Sequence, residues 1–192
     1  MSNSNPSVLV VDDEPSVAEA YSLWLDGKYD VETAFDGREA LEKVDESTDV
    51  VLLDRRMPDV SGDEALEAIR EAGYNCRVAM VTAVDPDFDI VDMPFDSYLT
   101  KPVTRDDVIE AIDELLKIDE YEDAVKERFA IAKKRAALEN EKSVTELDRS
   151  EEYTELREAA SELPDADDVE LDHDAFAKTL SELDSDDTET VF

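Results

Sequence analysis

One cysteine, one histidine, one tryptophan and four glycines are all that this chain has of those four residue types. Cys76 has no partner for an internal disulfide, which fits a reducing cytosol and places the expected location in the cytoplasm. No run approaches the ~20 apolar residues of a membrane span, and the polar start Met1–Ser7 does not read as a signal peptide. There is no fixed-period repeat and no low-complexity tract. Bases are scarce: 19 Lys and Arg stand against 54 Asp and Glu, a formal net charge of −35. The excess runs through the whole chain, with net −19 up to Ile118 and −16 beyond it. Self-repulsion on this scale opposes a compact state at ordinary ionic strength. At ~1 M salt the Debye length falls to ~3 Å and most of it disappears. The composition points to a salt-in halophile, of haloarchaeal type. In such a proteome acidity does not argue against nucleic-acid binding.

What is present is a packed-core composition, 42% hydrophobic over 192 residues, enough for one domain and a smaller appendage. Short apolar runs at Val8–Val11, Tyr29–Ala34, Val50–Leu53, Val78–Val81 and Ser97–Leu99 read as buried strands. Between them, Pro15–Leu25, Gly37–Val44, Asp63–Ala72 and Thr104–Leu116 carry apolar residues at helical spacing. Thr104 with Asp107 makes one helix start, and Ser61 or Gly62 another. Asp85–Phe95, with two prolines and four aspartates, leaves room only for a short or irregular helix. The alternation predicts an α/β domain over residues 1–119, with a parallel sheet covered on both faces. Residues 120–192 then form a small all-α unit of coiled-coil-like seams. A long helix is expected over Tyr121–Lys142, a second over Val144–Leu163 and a short third over Asp174–Leu183. Val125, Phe129, Ala132 and Ala136 form one seam; Tyr153, Leu156, Ala160 and Leu163 form the other. These seams point at one another, at the first domain or at a second copy, so a homodimer through this unit stays open.

A parallel sheet gathers its site at the carboxyl ends of its strands. There the sequence places Asp12 and Asp13, then Asp54, then Thr82, then Lys101-Pro102. A lone Asp-Asp pair carries no information, since the chain has three others. Five residues of suitable type, gathered at the ends of four strands in order, do. Hard carboxylate oxygens suit Mg²⁺, and an aspartate nucleophile with a cation and a hydroxyl beside it suits acyl-phosphate chemistry.

The segments VLVVDDEP, VVLLDRRMPDVSG, VTA and YLTKP together resemble the receiver domain of two-component response regulators, over about Ser7–Leu116. That resemblance implies a flavodoxin-like, doubly wound five-stranded parallel sheet. It implies Asp54 as phosphoacceptor, a sensor histidine kinase as donor and Mg²⁺ held by Asp12, Asp13, Asp54 and the main-chain carbonyl of Arg56. It further implies Lys101 and Thr82 as phosphoryl-binding groups, Thr82 and Tyr98 as switch residues, and a cis bond before Pro102. Gly62 is expected to supply a positive φ in the loop after Asp54. The stretch from Thr82 to Tyr98 is shorter and more acidic than is usual in the family, where a helix used for dimerisation or docking lies. Arg55 and Arg56 read equally as phosphoryl contacts or as balances for local acids. Haloacid dehalogenase-type phosphatases, the rival chemistry, need a second Asp where this chain has Arg56, so an enzyme is not expected beyond self-catalysed phosphotransfer and dephosphorylation.

The runs AIAKKRAALENEKS and SEEYTELREAASEL resemble the HalX-type domain found behind haloarchaeal receivers. The helical unit shows no helix-turn-helix spacing and no paired catalytic groups. His173, set between two aspartates, reads as a solvated residue. The basic cluster Lys133, Lys134, Arg135 reads as a solvated helix face balanced by Glu139 and Glu141, the alternative being a small phosphate-contacting patch for DNA. Output is expected through protein–protein contact, with phosphorylation-controlled DNA binding as the alternative.

Overall fold

The computed structural model describes residues 5–118 and 123–162. Leu163, the expected third helix and His173 lie outside the described residues. Five strands, β1 (Ser7–Val11), β2 (Asp30–Ala34), β3 (Val50–Leu53), β4 (Arg77–Thr82) and β5 (Ser97–Thr100), form one parallel sheet in the order β2-β1-β3-β4-β5. The reversal between β1 and β3 makes the doubly wound topology whose cleft opens at the carboxyl ends of those strands.

Alternating side chains explain the two cores. Leu9, Val11, Val51, Leu53, Val78 and Met80 face one side, beneath α2 (Gly37–Lys43) and α3 (Gly62–Glu71). Val8, Val10, Val50, Leu52, Ala79 and Val81 face the other, beneath α1 (Pro15–Leu25) and α4 (Arg105–Ile118). The central strands are buried on both faces, which is why they read as unbroken apolar runs. Helix starts follow local chemistry. Ser61 and Glu64 form a capping box at α3. Thr104 and Asp107 exchange the corresponding bonds before α4, as expected. Just before β5 one buried acid is fully engaged: Asp96 accepts from Arg70, Arg77 and the Val78 amide.

Between β4 and β5 there is only a three-residue 3₁₀ helix, Phe88–Ile90. Instead of a helix from this segment, α5 (Asp123–Glu141) covers the β5 edge. Val125, Phe129 and Ala132 enter the α1/α4 core, while Ile131 and Leu138 enter the α2/α3 core. The predicted seam therefore faces the parallel sheet, and the helix wraps an edge that would otherwise present unpaired backbone groups. The single helix expected over Val144–Leu163 is broken. α6 (Val144–Leu147) opens on a capping box of Ser143 and Glu146, and α7 (Glu151–Glu162) starts where the Ser150 hydroxyl accepts from the Tyr153 amide. Tyr153 and Leu156 pack on the same core as Leu138. Among the described residues no helix is long and apolar enough to cross a membrane.

Candidate phosphoryl site

The cleft is built by the strand ends. Strand β1 delivers Asp12, 2% exposed, and β3 delivers Asp54, 9% exposed; Asp13 faces solvent beside them. The Asp54 amide donates to the Val11 carbonyl at 2.9 Å, which locks the two loops together. One carboxylate oxygen from each of Asp12, Asp13 and Asp54 lies within 4.8 Å of the others. A set of hard oxygens this close, one of them open to water, suits a small divalent cation that keeps several waters.

Lys101 closes the site from β5. Its Nζ donates to Asp12 Oδ2 at 2.6 Å and to Asp54 Oδ2 at 2.8 Å. The Lys101-Pro102 bond is cis, as the family resemblance implied, and the Lys101 amide donates to the Thr82 carbonyl at 2.7 Å. Burial alone would lower the Lys101 pKa, but the bonds to Asp12 and Asp54 outweigh it and the ammonium is held above its usual range. Burial raises the Asp12 carboxyl, against the opposing pull of Lys101. Two acids and a base thus share one desolvated pocket in which each charge depends on the others.

Thr82, 1% exposed, ends β4. Its hydroxyl accepts from the Val84 amide at 3.3 Å, and Tyr98 donates its hydroxyl to the Val84 carbonyl at 2.7 Å. The two residues expected to act as a switch therefore meet on a single residue. Burial raises the Tyr98 pKa, and the Phe95 ring packs against it at 5.5 Å between centroids.

The loop after Asp54 corrects one expectation. Gly62 does not have a positive φ; the left-handed residue is Asp59, at φ 64°. What requires glycine at 62 is close approach, since a Cβ there would lie 2.0 Å from the Asp54 carbonyl oxygen and 2.8 Å from the Arg55 Cα. Gly62→Ala should push the loop after Asp54 out of place. A loss of about 2–4 kcal/mol in stability is expected, read as a lowered denaturation midpoint in high salt; an unchanged midpoint would contradict the packing.

Arg55 and Arg56 separate. Arg56 is exposed, and its amide donates to Asp54 Oδ1 at 3.3 Å. Arg55 is buried, with Nε on Asp63 Oδ1 at 3.0 Å and an Nη bond to Asp89. Burial would lower its pKa, but the two carboxylates prevail and hold it above the normal range. The charge-balancing reading holds for Arg55. Sequence reasoning could not name its partners, which lie 8 and 34 residues away. The basic cluster of α5 is likewise engaged within the chain. Lys133 pairs with Glu114 at 2.7 Å, Lys134 donates to the Val91 carbonyl at 2.6 Å, and Arg135 pairs with Glu139 at 3.3 Å. Only the last of these matches the balance expected from the sequence.

Known proteins share this fold. Residues 8–113 match the model of the response regulator receiver domain, and residues 117–192 match that of the HalX domain. A Haloferax volcanii protein named "Putative transcriptional regulator" is 53% identical over 151 residues, covering 78% of this chain and 26% of its own length. The alkaline phosphatase synthesis transcriptional regulatory protein PhoP of Bacillus subtilis is 37% identical over 122 residues, 60% of this chain and 50% of its own. The chain thus spans about a quarter to half of the curated relatives it matches. Among solved structures, a CheY-like receiver domain from Methanospirillum hungatei superposes with TM-score 0.57 at 28% identity, covering 61% of this chain and 98% of its own. TrrA of Thermotoga maritima, solved in complex with Mg(2+)-BeF, gives 0.50 at 33% identity, covering 58% and 99%. The chain belongs to the response regulator receiver family, and behind its receiver it carries a HalX domain.

Proposed function

We propose that this response regulator takes a phosphoryl group on Asp54 from a sensor histidine kinase and passes the state through its helical region by protein–protein contact. The observation that carries the reading is the Lys101 ammonium bonded at once to Asp12 and Asp54, at the mouth of a three-carboxylate cluster. In the transfer, an Asp54 carboxylate oxygen forms the new P–O bond while the bond from phosphorus to the donor imidazole nitrogen breaks. The electron pair of that bond stays with the imidazole, which then takes up a proton. Lys101 stands where it can release Asp54 and pair with a phosphoryl oxygen, and the Thr82 hydroxyl offers another hydrogen bond. Asp12, Asp13, Asp54 and the Arg56 carbonyl are the groups that would hold Mg²⁺, which when bound supplies neutralisation of phosphoryl charge. Thr82 and Tyr98, joined through Val84, are suited to report the phosphoryl group to the segment beyond.

For output, protein contact is favoured because Lys133, Lys134 and Arg135 are spent on partners inside the chain. Relatives named as transcriptional regulators favour a role in transcription, which contact with a transcription protein satisfies without a basic surface. The test is to tag the wild type and Asp54→Asn in a high-salt host and recover crosslinked DNA and co-purifying proteins. A protein partner whose recovery depends on Asp54 supports the reading. Site-specific DNA recovered without any such partner would replace it with direct DNA binding.

A further inference from the structure

The segment between β4 and β5 is gripped from two sides. On the acceptor side, the Arg55 guanidinium joins Asp63 at the start of α3 to Asp89 in the 3₁₀ helix. On the other side, α5 and Lys142, the residue directly after it, hold the same few residues. Lys142 pairs with Asp87 at 3.1 Å and lies over the Phe88 ring at 5.7 Å. Lys134, buried, donates to the Val91 carbonyl at 2.6 Å and lies over the Phe95 ring at 5.3 Å. Ile90, with no exposed surface, pins the middle of the segment. Asp87, Asp89 and Val91 are therefore held in turn by Lys142 just after α5, by Arg55 and by Lys134 of α5. Arg55 is also the residue directly after the acceptor, so any charge added to Asp54 arises beside its backbone.

We propose that Arg55 is a positioning residue that couples Asp54 to α5, with the Asp87–Val91 segment as the moving part. This rests on Asp54 being the phosphoacceptor. Phosphorylation replaces the single charge of the Asp54 carboxylate with close to two on the phosphoryl oxygens, a net gain of about one negative charge near Arg55. The phosphoryl group competes with Asp89, whose side chain is 56% exposed and readily rehydrated, for the guanidinium. Once Asp89 is released, the segment loses its hold on the acceptor loop, and the lysine contacts that seat α5 loosen with it. α5 covers the β5 edge in place of a helix from the β4–β5 segment, so the output region is part of the receiver's own surface and is set directly by that segment.

The test is amide hydrogen exchange on the full chain in high salt with Mg²⁺, before and after labelling with acetyl phosphate. In the wild type, labelling is expected to speed exchange several-fold in residues 84–96 and in 123–141. Asp89→Asn removes the bridge from an exposed side chain, and its unlabelled form is expected to exchange in α5 as the labelled wild type does. Arg55→Gln is expected to take up label while α5 exchanges alike in both states, and Arg55→Lys to restore part of the difference. Lys142→Gln should keep the response in 84–96 and lose it in α5. A wild-type protein that labels with no change in α5 overturns the proposal. So does an Arg55→Gln protein that labels and retains the full change. Failure of the wild type to label at all would instead overturn the reading of Asp54 beneath it.

Discussion

Phe129→Glu is expected to cost about 4 kcal/mol or more and to strip the helical region from the receiver. Phe129 is 1% exposed, in the core that includes Val81, Leu115, Ile118 and Val125. Losing an aromatic of that burial costs ~3–5 kcal/mol by itself, and a carboxylate placed in an apolar core adds a desolvation penalty. The Lys133 ammonium over the ring at 5.2 Å is already bonded to Glu114. Denaturation in high salt should show a large drop in midpoint and early loss of helical signal. Read from the sequence, the same substitution is a test of self-association. The structure turns it into a test of how α5 is seated. Unchanged stability with loss of a dimer would mean that Phe129 meets a second copy and would contradict this packing.

Lys101→Ala should leave the protein folded and slow its labelling by acetyl phosphate on the order of 10²-fold, the scale of losing one charged stabiliser in a desolvated site. The ammonium is the group that bonds both Asp12 and Asp54. Without it, burial raises the Asp12 carboxyl unopposed by its main partner. Asp12 and Asp54 then repel each other with less compensation, and an incoming phosphoryl group meets net negative charge. Circular dichroism separates this from unfolding, because Lys101 sits at the rim and not in either apolar core. Labelling within a factor of ~2 of the wild type would show that the contact contributes little to transition-state stabilisation.

Most of the sheet and the cluster of acids were legible because parallel strands announce themselves twice. Each is a short apolar run, and each ends in a polar residue on the same rim. The Ser143-x-x-Glu146 capping box was also present in the sequence, and with Ser150 seven residues on it marks the break that continuous periodicity concealed. Other features depended on distant partners. Arg55 and Lys134 look like surface cations in sequence, and only the fold brings Asp63, Asp89 and the Val91 carbonyl to them. The α5 seam was read as one stripe, whereas Ile131 and Leu138 belong to a second face, because the helix wraps a sheet edge and meets both cores. At Gly62 the residue type was informative but its reason was not. Left-handed backbone and close approach both call for glycine; Gly62 lacks the positive φ, and a Cβ there would fall 2.0 Å from the Asp54 carbonyl oxygen.

The central claim is that Asp54 carries the phosphoryl group, and the direct measurement is to locate it. The full chain, labelled with acetyl phosphate and Mg²⁺ in high salt, would be reduced with borohydride, which converts an aspartyl phosphate to homoserine, and mapped by mass spectrometry. Homoserine at position 54 alone, with no label in Asp54→Asn and none when Mg²⁺ is chelated, is the predicted result. Undiminished labelling of Asp54→Asn, or homoserine at another aspartate in the wild type, would contradict it.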